Sequence, residues 1–100
     1  MPASKLYRFH EAAWQELQAA DDWYADRSLD ASEDFLSAVA DALKNIRSAP
    51  QRWPAYLYGT RRLVLQRFPF SVIYLDDPDL VRIVAVAHAK RKPGYWKRRV

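Results

Sequence analysis

The hydrophobic period of this chain changes near Gly59, and no other feature narrows the possible folds as much. Before that point apolar residues recur at helical spacing. Ala13, Leu17, Ala20 and Tyr24 fall at i, i+4, i+7 and i+11, and Phe35, Val39, Ala42 and Ile46 repeat the pattern, which is the mark of helices with one buried face. After Gly59 the runs RRLVLQRF (61–68), FSVIYL (70–75) and LVRIVAVAHA (80–89) are short and rich in β-branched and aromatic residues. Pro69 and the Asp76-Asp77-Pro78-Asp79 cluster separate them as turns, so three strands of an antiparallel meander are expected.

The helical half has its own punctuation. SKLYRF (4–9) alternates loosely and predicts a short first strand. A helix is expected from about Glu11 to Arg27, and a second after Ser28-Leu29, with Asp30 as cap and Glu33 three residues on. Pro50 and Pro54 end it. The order β-α-α-β-β-β describes an α+β domain in which an antiparallel helical hairpin covers one face of a four-stranded sheet. One hundred residues, half of them apolar and four of them Trp, suffice for one domain over 1–100 with a dense core. Because the periodic core ends near Ala89, residues 89–100 read as an appended basic, aromatic tail whose removal leaves the domain folded.

Several function classes drop out. There is no Cys, hence no disulfide, thiolate zinc site or thiol nucleophile, and His10 and His88 are too few for a histidine metal site. We expect neither metal nor cofactor. MPASKLYRFHEAAW lacks the apolar run of a secretory leader, and no uncharged stretch approaches the roughly 20 residues of a membrane span. A cytoplasmic protein with no membrane partner is expected.

Charge points to partners. Residues 1–59 carry six Lys or Arg against nine Asp or Glu, whereas residues 60–100 carry ten against three. The tail concentrates the excess: Lys90, Arg91, Lys92, Lys97, Arg98 and Arg99 surround Pro93, Gly94, Tyr95 and Trp96 with no acid among them. Cations interleaved with large aromatic rings suit a binding surface for something anionic. Other conspicuous side chains have plainer roles. His88 closes an apolar strand, where a local hydrogen bond is its simplest task, and Arg67 can anchor the sheet edge or an acidic neighbour. Trp14 and Trp23 read as core or partner-facing packing on the first helix, and Trp53 and Tyr56 as aromatics that close over the core or meet a partner.

RRLVLQRFPFSVIYLDD followed by VRIVAVAHAKRKPGYW resembles the C-terminal half of RelE/ParE-type toxins of bacterial toxin–antitoxin modules, often called plasmid stabilisation proteins. Arg67, Phe68, Pro69, Phe70, Val72 and Tyr74, then Val84, His88 and Arg91, carry most of the match, and FLSAVADALKNIRSAP is similar in type and length. The resemblance implies the fold already expected, and one of two activities. RelE-like members cut messenger RNA on the ribosome; ParE-like members inhibit DNA gyrase without bond chemistry of their own. In many ribonuclease members an arginine stands three positions before the Tyr of the FSVIY strand, where this chain has Ser71. The acid or lysine commonly supplied after the second helix is missing too, since PQRWPAYLYGT (50–60) holds no Lys, Asp, Glu or His. His88 occupies a place where some ribonucleases have a catalytic His, but Ala89 follows it instead of the Tyr seen in some. General acid–base catalysis at a phosphate needs two placed groups, so the ParE-like reading is preferred.

The resemblance also implies a cognate antitoxin whose acidic C-terminal segment folds onto Lys90, Arg91, Lys92 and Arg98. Arg61, Arg62, Arg67, His88, Lys90, Arg91, Lys92, Tyr95, Trp96, Lys97 and Arg98 are the residues expected to meet antitoxin or target. Should the chain be a ribosome-dependent ribonuclease instead, His88 is the catalytic candidate, with Arg61, Arg62 or Tyr95 as its partner. A module that keeps only the scaffold and binds nucleic acid or protein is the third reading.

Overall fold

Both helical stripes become buried faces, and this places the main core. A computed structural model describes residues 4–100; residues 1–3, at the start of the stretch read for a leader, lie outside the described residues. Helix α1 (Glu11–Ala25) buries Ala13, Leu17 and Ala20, and α2 (Leu29–Ser48) buries Phe35, Val39, Ala42 and Ile46. His10 Nδ1 accepts the Ala12 N–H at the start of α1. At the start of α2, Ser28 Oγ accepts the Ala31 N–H, so the cap is Ser28 rather than Asp30. Either side chain satisfies an amide that has no partner within the helix. Asp30 lies in the first turn, where its charge suits the positive helix end. α1 stops at Ala25, short of Arg27, because the N–H groups of Arg27 and Ser28 both turn back to the Tyr24 carbonyl. Ser32 then donates to the Asp21 carboxylate across the hairpin.

Four strands complete the layer: β1 (Leu6–Phe9), β2 (Arg61–Val64), β3 (Phe70–Asp76) and β4 (Leu80–His88), in the order β1-β4-β3-β2. The meander is antiparallel as expected, and β1 lies parallel to β4 over Leu80–Ile83. A parallel pair needs a long connection, and here everything between the two strands provides it. β2 is shorter than the 61–68 run suggested. The Leu65 N–H reaches the Phe70 carbonyl and closes a turn over 66–69, so Phe68 swings inward against Tyr24 and Phe35, with ring centroids 5.3 and 5.4 Å away.

The helix-facing side of the sheet contributes Leu63, Leu65, Val72, Tyr74, Val81, Ile83 and Val86 to this core. Register shifts between Ile73 and Tyr74, which oppose Ala85 and Ile83. Val84 is thus the extra residue of a bulge, and the parity of inward and outward positions changes there. This explains why Ile83, Val84, Ala85 and Val86 are all buried although a one-sided strand would alternate.

Tyr74 is fully buried, and its hydroxyl donates to the Pro50 carbonyl at 2.5 Å, pinning the chain just beyond α2. Burial is the main cause that pushes its phenol up to about 12, with Asp76 adding and Arg61 opposing. Tyr74→Phe is expected to cost ~1 kcal/mol, because it leaves that carbonyl without its donor. A folded value raised above the ordinary 10.0 means that the contribution is complete below pH 10.0 and is lost as pH rises through about 12. Denaturant midpoints of the two proteins should therefore converge in strong alkali, and parallel curves there would contradict this.

The helix-free face of the sheet is covered as well. Ile73, Val84, Ala85 and Trp96 form a second buried cluster, with Tyr56, Leu75, Ala87 and Tyr95 packed around it. The expectation that the core ends near Ala89 is therefore corrected. Trp96 keeps only 2% of its surface, and the tail is folded down as the second layer's cover together with the loop after α2.

Candidate binding surface

The C-terminal segment owes its path to β4 outrunning its parallel partner. β1 ends at Phe9, opposite Ile83, so from Val84 onward the outer edge of β4 has lost its strand neighbour, and bare backbone groups at an edge need another partner. Side chains supply it. Glu16, on α1, accepts the Val86 N–H at 3.1 Å, and Arg99 donates to the Val84 carbonyl at 3.2 Å. The Glu16 carboxylate also receives the Tyr95 hydroxyl at 2.5 Å and the Arg99 guanidinium at 2.8 and 3.2 Å. One carboxylate therefore ties α1, the edge of β4 and the C-terminal segment together. The Tyr95 phenol is raised, first by burial and then by the hydrogen bond and charge of Glu16, against the lowering pull of Arg99 and Arg91.

The segment turns at Gly94, whose φ of 81° lies in the left-handed region that suits glycine. A Cβ there would come within 3.0 Å of the Tyr58 ring. The turn drops Trp96 between Tyr56 and Tyr58, at centroid distances of 6.1 and 5.9 Å.

The cations singled out in the sequence end in different surroundings. Arg61 is structural: its guanidinium donates to the carbonyls of Trp53 at 2.6 Å and Gln51 at 3.2 Å, holding the loop after α2. Arg67 is exposed on the helix side and pairs loosely with Asp34 at 3.5 Å, as its plainer reading anticipated. Lys90, Lys97 and Arg98 are exposed. Trp96 is removed from the candidate surface, because its ring is core.

Arg62, His88, Arg91, Lys92 and Tyr95 do come together. With Tyr56, Ser71, Ala87 and Trp96 they line a recess of about 100 Å³ beside the helix-free face. Arg62 lies over the Tyr56 ring at 4.1 Å and Arg91 over the Tyr95 ring at 3.8 Å. His88, Arg91 and Tyr95 also form one wall of a mostly apolar groove of about 390 Å³ on the helix side, which Glu16 lines together with apolar residues that include Ala20, Trp23, Tyr24 and Phe70. His88 accepts the Lys90 N–H on Nδ1 at 3.0 Å and sets its ring edge-on to Phe70. A neutral imidazole held in this way carries its proton on Nε2 and offers a donor, not a base. Trp14 and Trp23 are half-exposed and not core, and Trp23 lies under Arg27 at 3.3 Å. Trp53 and Tyr56 close over the core as anticipated.

Glu16, and the pairing of Arg99 with it, escaped the sequence reading. A faint signal existed: Glu16 stands three residues after Ala13 and four before Ala20, flanking the buried stripe of α1, in a chain with an excess of C-terminal cations.

No curated protein matches the sequence at a significant level. Nine solved chains match significantly. One of them, from the chromosomal ParDE TA system of P. aeruginosa, is 24% identical with a TM-score of 0.60, over 85% of this chain and 96% of that one, a likeness that shows the fold. The model of the ParE toxin of the type II toxin-antitoxin system, parDE, matches residues 7–93. That span holds both helices, all four strands except Leu6, and the cations of the recess, and on it the chain belongs to the ParE toxin family.

Proposed function

We propose that this toxin-family chain is held inactive by a cognate antitoxin in the cytoplasm and, once released, inhibits DNA gyrase rather than cleaving RNA. The observation that carries the choice is that the recess holds cations and donors but no base. His88 has its Nδ1 lone pair bound by the Lys90 N–H, the Tyr95 phenol is engaged by Glu16, and Ser71 stands where an arginine would stabilise a reacting phosphate. Transfer of a ribose proton needs an acceptor, and general acid–base groups contribute typically 10²–10⁴-fold to such rates; the recess offers none. For the antitoxin, the exposed Lys90, Arg91, Lys92 and Arg98 give an acidic segment its electrostatic partner, and the adjoining apolar groove receives that segment's apolar side chains.

Supercoiling by gyrase and translation followed by primer extension of the message, run on one preparation, test this reading. The expected result is impaired supercoiling with intact message, unchanged in His88→Ala. Codon-positioned cuts that vanish in His88→Ala would overturn it in favour of a ribosome-dependent ribonuclease. Expression of the chain alone should arrest growth, and co-expression of its antitoxin should restore it.

A further inference from the structure

The recess on the helix-free face is built around small side chains. Ser71 and Ala87 oppose each other across β3 and β4, and with Ala89 they leave a hollow that Trp96 and Tyr56 wall off. Its volume of about 100 Å³ leaves room for a small oxyanion and lies well below the ~300 Å³ at which drug-sized ligand pockets begin. No Asp or Glu lines it. Among the described residues Arg62, Arg91 and Lys92 form no ion pair, whereas Lys5, Arg67, Arg82 and Arg99 each do. The Arg62 and Arg91 guanidinium carbons lie over the Tyr56 and Tyr95 rings, 4.1 and 3.8 Å from the centroids, a contact that holds each cation in place without neutralising its charge.

We propose that this recess is a subsite for one phosphodiester phosphate of a nucleic-acid backbone. Residues that carry donors line it from four elements: Arg62 from β2, Ser71 from β3, His88 from the end of β4, and Arg91 and Lys92 from the C-terminal segment. Convergence from several sides suits an anion with oxygens in several directions, while the carboxylate of an acidic peptide presents two in one plane. The exposed Lys90, Lys97 and Arg98 continue the positive charge along the same segment, as a repeating backbone charge requires. The proposal rests on the gyrase reading only for the source of the phosphate, DNA engaged by the enzyme; the subsite itself stands on the recess.

The experiment is fluorescence anisotropy of the full chain with short labelled DNA duplex, single-stranded DNA and RNA of one sequence, over a range of salt. Arg62→Ala and Arg91→Ala are each expected to weaken binding about tenfold on every sequence and to lower the duplex salt slope by ~0.9, one phosphate's share. Lys44→Ala, at an exposed position of α2, should change neither. Lys92→Ala, on an exposed side chain, keeps the test open if Arg62→Ala fails to fold, and inorganic phosphate should compete with the wild type. The loss on either nucleic acid supports the subsite, and the ratio of DNA to RNA affinity identifies the source. Unchanged affinity and slope in the variants overturns the proposal. Because gyrase is absent from this assay, failure of the supercoiling test leaves its outcome distinct.

Discussion

Trp96→Ala is expected to lower the unfolding free energy by about 3–5 kcal/mol, the range for removing a large aromatic side chain from a packed core. The ring is 2% exposed and closes the cluster of Ile73, Val84 and Ala85. Its neighbours on the sheet, Ala85 and Ala87, are small strand residues that cannot refill the space. A domain of this size has only ~5–15 kcal/mol in total, so the variant should be close to the limit of folding. Deleting residues 90–100 removes Trp96, Tyr95 and Arg99 together and should leave a chain without a cooperative transition. Arg98→Ala, on an exposed neighbour, should stay within about 0.5 kcal/mol of the parent. Urea titrations followed by circular dichroism check all three; a truncated chain with the parent's midpoint would return residues 90–100 to the status of an appended tail.

Glu16→Ala should have the next largest effect, about 2–3 kcal/mol. Removing one partner of a fully buried ion pair costs about 3–5 kcal/mol, and the figure is reduced here because the Glu16 and Arg99 side chains keep 16% and 18% of their surface. The loss is not of one contact. Arg99 is left charged and largely covered, the Tyr95 hydroxyl loses its acceptor, and the Val86 N–H at the bare edge of β4 is unpaired. Three readouts separate this network from a simple salt bridge. The double variant with Arg99→Ala should cost less than the sum of the single ones. Amide exchange at Val86 should accelerate more than at Val72, which lies within the meander. Tyr95 should ionise at lower pH, since the hydrogen bond and charge of Glu16 are two of the causes that raise it. An additive double variant with unchanged exchange at Val86 would reduce Glu16 to an ordinary surface acid.

The apolar periods of the chain determined the element order, the face each helix buries and the meander, because those choices depend on residues three, four or two positions apart that share a side of one element. Phe35, Val39, Ala42 and Ile46 are legible for that reason, and the motif around Arg67–Tyr74 with His88 and Arg91 carried the family. The recess was half legible: its cations stood out as charge, while Ser71 entered only as a missing arginine and Tyr56 as a loop aromatic. What the tertiary structure alone decided is the second layer. Glu16 meets Val86, Tyr95 and Arg99 across 70, 79 and 83 residues, and no local period relates positions so far apart. Six cations around Tyr95 and Trp96 look like a solvated or partner-facing run when read along the chain. Only the ending of β1 at Phe9, which strips the neighbour from β4, and the left-handed turn at Gly94 put Trp96 into the core and Arg99 against Glu16. An exposed sheet face and an unpaired strand edge both demand cover, and in this protein the basic segment is what reaches them.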